Sequence, residues 1–310
     1  MSRRLRFTKL DIFTVTPFVG NPLAIVHVPT TVTLSQSEKQ LIAREFNLSE
    51  TVFHHEQDPA ASDTAAPVVI DIFTPSEELP FAGHPTVGSG FYLLSRPGVR
   101  QPDTVTLRTR AGDIPVVRAP GGGVRLQVPI DFKVHAPLAI SSVKAQQPRL
   151  ADADYVNGIA GAEACASVVK GMTFLLLALA SEDALARLQP YPTRLLIPDA
   201  TTALGAWGAG FAGLYAFWVQ ADADGMLRVR TRMFDGPMED PATGSAASTL
   251  AGWLALRRGP GVHTIDIVQG IEMGRRSDIK VVVDVGSNNG INSIALEGAA
   301  VEVMEGAVVI

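Results

Sequence analysis

The chain opens on strand-like patterning. "RFTKLDIFTV" (6–15) alternates apolar and polar positions, "NPLAIVHVP" (21–29) is a nearly continuous apolar run, and "TPFVG" joins them. Both patterns suit strands of a half-buried or buried sheet. The pattern then changes to a helical one. Ser35 with Glu38 three residues on is a capping box, Leu41, Ile42 and Phe46 supply an apolar side, and Asn47 is a left-handed stop. "SETVFHH" (49–55) and "APVVIDIFTP" (66–75) read as strands again, divided by the polar, Ala-rich "EQDPAASDTA", an exposed loop. "GDIPVVRAPGGGVRLQVPI" (112–130) predicts a hairpin turning on Gly121, Gly122 and Gly123. That glycine run lacks a following Lys-Ser/Thr or helix start, so it is a turn and not a phosphate cradle.

The second half repeats this order. "ASVVKGMTFLLLALA" (166–180) predicts strands, "SEDALARLQP" (181–190) a short helix capped by Ser181, and "RLLIPD" (194–199) a further apolar run. "GLYAFWVQAD" and "MLRVRTRMF" form a hairpin through the acidic "ADADG" (221–225). Each half ends a strand just before a copy of one phrase, "HPTVGSG" at 84–90 and "DPATGSA" at 240–246. The economical explanation is two copies of one α+β unit.

The phrase itself predicts a helix start. His84 and Asp240 stand where an N-cap belongs, and Pro85 and Pro241 fit the first helical position, where a missing N–H costs nothing. The helices that follow are small-residue-rich and almost uncharged for two turns, so each should be buried on nearly all sides. A buried helix start presents unpaired N–H groups and the positive end of its dipole. If the two starts converge on one cleft, they form a receptor for a carboxylate or a developing enolate, with His84 and Asp240 at its rim.

Composition narrows the class. Hydrophobic residues are 46% and charged residues 18% of 310, which suits a filled globular core. A net charge of −5 without a dense basic run gives no footprint for nucleic acid. The longest apolar run, "FLLLALA" at 174–180, is too short to span a bilayer, and the start has no signal-peptide core. The single cysteine, Cys165, fits a reducing compartment, so a cytoplasmic protein is expected. Cys165 lies in neither phrase, which argues against a two-thiol racemase, and no G-x-S-x-G elbow surrounds Ser245. His54 and His55 would point to opposite faces of a strand, and no H-E-x-x-H or Cys pair occurs, so no metal site is expected.

"DIFTVTPFVGNPLAIV" (11–26), "NLSETVF" (47–53), "FTPSEELPFAGHPTVG" (73–88), "EDPATGSAA" (239–247) and "QGIEMGRRS" (269–277) together resemble the PhzF-like family of phenazine-biosynthesis isomerases, in that family's order and over nearly the whole chain. The resemblance implies the diaminopimelate epimerase fold, an α+β duplication of two pseudo-symmetric domains, each a curved sheet or barrel around a central helix. The expected boundaries are 1–125 and 126–310, with the final C-terminal strand allowed to return to the first domain. It further implies a cofactor-independent isomerase like trans-2,3-dihydro-3-hydroxyanthranilate isomerase. Its acid/base glutamate carries to Glu50 of "SET", its histidine to His84, and its Asp and Ser to Asp240 and Ser245. Gly83 and Gly244 would border the substrate and Asn21 would support the cleft. A small carboxylate-bearing substrate and a homodimer are the implied partners, with no cofactor. A carboxyl in an enclosed apolar cleft should have a raised pKa, near working pH, able to take and return a proton.

Three features depart from the family pattern: Asp71 two residues before Phe73, Arg276 in "GRRS", and the 57–67 insertion. They bear on substrate identity. One acid/base group suits moving a proton on one face of a substrate. An epimerase or racemase of an amino-acid-like metabolite, using Glu50 with a second acid, stays open, as does a metabolite-binding homologue without turnover.

Overall fold

The structure is a computed structural model, which describes residues 3–57, 66–95, 103–194, 204–207, 211–223 and 226–310. Most of the 57–67 insertion, most of "RLLIPD" and the tip of the "ADADG" turn lie outside the described residues. In chain order the first half forms β1 (Arg4–Ile12), β2 (Asn21–Val28), α1 (Gln36–Phe46), β3 (Thr51–His55), β4 (Val68–Phe73), β5 (Glu78–Leu79), α2 (Gly83–Ser95), β6 (Thr104–Thr109), β7 (Gly112–Arg118) and β8 (Val124–Gln127). There follow β9 (Lys133–Ala139), α3 (Ser141–Lys144), β10 (Ala162–Val169), β11 (Met172–Ala178), α4 (Glu182–Arg187), β12 (Phe211–Ala223), β13 (Met226–Asp235), β14 (Met238–Asp240), α5 (Gly244–Arg258), β15 (Gly261–Gln269), β16 (Ser277–Val285), β17 (Ile291–Gly298) and β18 (Ala300–Val309). Two compact units result, Met1–Gln127 with Leu296–Ile310, and Val128–Ala295.

Strand pairing shows the duplication directly. In the first unit β18–β1 and β1–β2 are antiparallel, β2–β3 parallel, β3–β4 antiparallel, β4–β6 parallel and β6–β7 antiparallel. In the second, β9–β10 and β10–β11 are antiparallel, β11–β12 parallel, β12–β13 antiparallel, β13–β15 parallel and β15–β16 antiparallel. The order is the same step for step. Each parallel step is bridged by a helix, as parallel pairing requires a crossover. α1 and α4 bridge the first such step, and α2 and α5 the second.

The outer helices form as the sequence predicts, with one correction. Ser35 caps α1 with the full capping box and Asn47 ends it at φ 49°. Ser181 caps α4 by accepting from the Ala184 N–H. Leu41, expected on the apolar side of α1, is instead 61% exposed. The buried stripe is Lys39, Ile42 and Ala43 with Phe46 packed alongside, at i, i+3, i+4 and i+7, which puts Leu41 on the opposite face. Lys39 can join that stripe because its ammonium meets Asp71 at 2.5 Å. The 112–130 hairpin is present as β7–β8, with Gly121 and Gly122 at φ 94° and 93° in its turn.

The two long helices are the centres of their units. In α2 ten of thirteen residues are buried, and the helix touches β1, β2, β3, β6, β7, β8 and β18. A helix of this length is marginal alone, so packing holds it. Its small residues make the fit possible. A Cβ on Gly88 would stand 2.5 Å from Leu23 Cδ2 and 2.7 Å from Ile12 Cδ1, and one on Gly90 would stand 2.6 Å from Val116 Cγ1. In α5 the corresponding close approach is Gly252 under the Phe132 ring, and Gly259 at φ 88° ends the helix.

Candidate active site

Glu50 is the residue just before β3, in the tight connection from the left-handed stop of α1. β3 lies between β2 and β4, with Thr51 opposite Ala24 on one side and Phe73 on the other. That central place fixes the backbone at the start of the strand. His84 projects from the first turn of α2. The two come together: His84 Nδ1 is 3.3 Å from Glu50 Oε2, with side chains 4% and 17% exposed. Burial pushes the Glu50 carboxyl up to about 7 from an ordinary 4.5, against a smaller lowering by the Ser49 hydroxyl. Gly83 is the first residue of α2 and is buried. Asn21 is buried at the start of β2, opposite Ile12.

Asp240 ends β14 and Ser245 is the second residue of α5, in the other unit. Here the repeated phrase is not repeated in structure. α2 begins at Gly83, so His84 and Pro85 are inside the helix and neither is at the position predicted for it. α5 begins at Gly244, with Thr243 and not Asp240 as its N-cap residue. Both prolines are tolerated, since one lies in a first turn and the other precedes a helix. The Thr243 hydroxyl donates to the Asp240 carboxylate and makes no capping hydrogen bond to α5 itself. Gly244 is buried and Ser245 half-buried at this helix start.

The segment leading to Asp240 is firmly held. Arg232, 4% exposed, makes a fork to Glu239, with Nε and one terminal nitrogen each 2.8 Å from a carboxylate oxygen. Its remaining terminal nitrogen donates to the carbonyls of Leu185 and Leu188 at the end of α4. Gln269, fully buried, donates to the Asp240 carbonyl at 2.7 Å.

Two of the departures noted in the sequence, Asp71 and Arg276, are engaged locally. Burial raises the Asp71 carboxyl, but hydrogen bonds from His55 and Lys39 more than reverse this and hold it below its usual range. Arg276 pairs with Asp278 on an exposed surface. His54 and His55 diverge, His54 toward His27 at 3.3 Å and His55 toward Asp71 at 2.7 Å. Among the described residues no group of three or more His, Cys, Asp or Glu is placed to hold a metal ion, and no helix is long and apolar enough to cross a membrane.

The sequence profile of the PhzC-PhzF family, described as phenazine biosynthesis-like protein, matches residues 10–306. The chain belongs to this family. Among PhzF relatives, an uncharacterized isomerase of Pasteurella multocida is 33% identical over 283 residues, 89% of this chain and 86% of that protein. The trans-2,3-dihydro-3-hydroxyanthranilate isomerase of Pseudomonas aeruginosa is 32% identical over 313 residues, 97% and 98% of the two chains. A PhzF-family structure from Bacillus anthracis superimposes with a TM-score of 0.78 at 22% identity, over 99% of this chain and 100% of that one. A hydroxyproline epimerase from Agrobacterium vitis shares the fold at a TM-score of 0.57 and 16% identity, over 99% and 93%. The protein is an isomerase of the PhzF type with the α+β fold of the epimerase superfamily.

The raised carboxyl has a cost that can be measured. The fold favours neutral Glu50, so the stabilisation from holding its proton is complete below about pH 4.5 and is lost as pH rises through about 7. That interval is worth about 3 kcal/mol. Glu50→Gln does not titrate. Its stability relative to wild type should therefore improve by about that amount between pH 4.5 and 8, read by urea unfolding at each pH. A difference that stays constant with pH would mean the carboxyl is solvated.

Two contributors escaped the sequence reading. Ser49 stands in the "SETVFHH" strand pattern and the "NLSETVF" motif without an assigned role, and its signal is adjacency to Glu50. Gln269 lies in a quoted motif without an assigned role, and a buried amide at a strand's end gives no sequence signal of what it will bind.

Proposed function

We propose that this isomerase moves a proton between carbons of a small, unsaturated, carboxylate-bearing ring, of the kind named for its Pseudomonas aeruginosa relative, with Glu50 as the general acid/base and no cofactor. The observation that carries the reading is the buried Glu50 carboxyl, near neutrality and 3.3 Å from His84. Ionised, Glu50 takes a proton from a ring carbon. The C–H electron pair moves into the adjacent π system, and the resulting Glu50 O–H returns the proton at the far end. No atom is gained or lost. His84 orients the carboxyl, and the family resemblance carries Asp240, Ser245 and the Gly83 and Gly244 backbones to substrate orientation. The start of α5, which the Thr243 side chain does not cap, supports a carboxylate-bearing substrate, since helix N–H groups favour anions.

The test is incubation with trans-2,3-dihydro-3-hydroxyanthranilate in D₂O, followed by proton NMR. A shifted double bond with deuterium at the newly protonated carbon is the expected result, because a carboxylic acid exchanges its proton with solvent. Inversion at one carbon with no bond moved would replace this reading by the epimerase. Thermal stabilisation by the compound without any turnover would leave a binding protein.

A further inference from the structure

The two copies of the phrase differ most where the chemistry differs. His84–Val87 lie inside a helix, whereas the equivalent Asp240–Thr243 lie outside one. Helical geometry for the second copy would send the Asp240 carbonyl to the N–H four residues on. The Gln269 side chain occupies that place. Its Nε2 donates to the Asp240 carbonyl at 2.7 Å and its Oε1 accepts from the Thr243 N–H at 3.3 Å, so one amide serves both a C=O and an N–H of this segment. Its orientation is also fixed. The Thr243 N–H can only donate and the Asp240 carbonyl only accept, which sets Oε1 and Nε2, and the Tyr215 hydroxyl donates to Oε1 at 2.9 Å and holds the amide there. Nε2 further reaches the Thr243 hydroxyl at 3.3 Å, and that hydroxyl donates onward to the Asp240 carboxylate. Tyr215 and Gln269 are both fully buried.

We infer that Gln269, locked by Tyr215, is a positioning residue: it holds Asp240–Thr243 out of α5 and, through the Thr243 hydroxyl, aims the Asp240 carboxylate. Every side-chain donor in the relay to the carboxylate points one way, from Tyr215 to Gln269 to Thr243 to Asp240, so a break anywhere upstream is felt at the carboxylate. The inference rests on the reading that Asp240 takes part in the reaction. The latch itself is a claim about the backbone and can be tested apart from it.

Gln269→Met keeps length and volume but removes both amide functions. The Thr243 N–H should then exchange with solvent about tenfold faster by hydrogen-exchange mass spectrometry, one lost hydrogen bond's worth. With the ring substrate named above, Gln269→Met and Thr243→Val should each lower kcat by about 10–100-fold, an orientation effect. The rise of rate with pH through Glu50 should keep its midpoint. The double variant should be no worse than the poorer single, because both break one chain. Thr243→Ser, which keeps the hydroxyl, should recover most of the rate. Losses that multiply in the double variant, or unchanged Thr243 exchange in Gln269→Met, would overturn the inference as independent packing damage. Normal turnover by Gln269→Met beside a crippled Asp240→Asn would overturn it while leaving Asp240 in the reaction. Normal turnover by Asp240→Asn would remove that reading, and the positioning role with it.

Discussion

Glu50→Gln should lower kcat by about 10²–10⁴-fold, the usual contribution of an acid/base residue, and more if proton transfer is the whole reaction. The amide keeps the carboxyl's shape, so substrate binding should change far less than turnover. Gln cannot take a proton at any working pH. The wild-type profile supplies the companion result. A carboxylate that starts the reaction must be ionised, and burial holds this one near 7, so kcat/KM should climb as pH rises through about 7 and level off above it. A residue with an ordinary carboxyl would show that limb near 4.5. Near-normal turnover by Glu50→Gln would return the residue to the status of a buried loop charge.

Lys144→Met should be among the most destabilising single changes in the second unit, by about 3–5 kcal/mol in urea unfolding. Lys144 and Glu163 form an ion pair at 2.6 Å whose side chains are 0% and 1% exposed. The ammonium also donates to the carbonyls of Gly158 and Gly161, at 2.6 and 2.8 Å, and lies over the Tyr155 ring. Methionine fills the volume but leaves a carboxylate with Asn157 at 2.9 Å and two carbonyls without their donor. Pairing it with Glu163→Gln should recover part of the loss, because the unpaired charge is gone. Recovery should stay incomplete, since the two carbonyls remain unserved. Equal stability of Lys144→Met and wild type would mean that water reaches this cluster.

Much of the fold was legible because local signals agreed with burial. The capping box at Ser35, the stop at Asn47, the Ser181 cap and the glycine turn at 121–122 are short-range chemistry, and each forms as read. Leu41 was misassigned because one turn of apolar residues cannot fix the phase of a helix. That phase is set by Lys39, whose partner Asp71 is distant in sequence. The N-cap assignments of His84 and Asp240 failed for a related reason. One phrase can begin a helix at different points when a remote side chain, here Gln269, competes for its backbone groups. For the site, motif resemblance named Glu50 and His84, and the structure brings them within 3.3 Å. The desolvation that raises the Glu50 carboxyl comes from strands and a helix assembled around it, and composition does not record it.

The pairing of β18 with β1 joins residues about three hundred positions apart, from Arg4–Val309 to Ile12–Ala300. The second unit is one uninterrupted segment, whereas the first is assembled from both sides of it. On a ribosome the second unit is therefore complete while β1 still waits for the strand that covers its flank. Until then β1 presents a row of unpaired backbone groups, a template for pairing with other chains. The unit that carries Glu50 is thus the last to close, and its yield depends on how long that edge stays open.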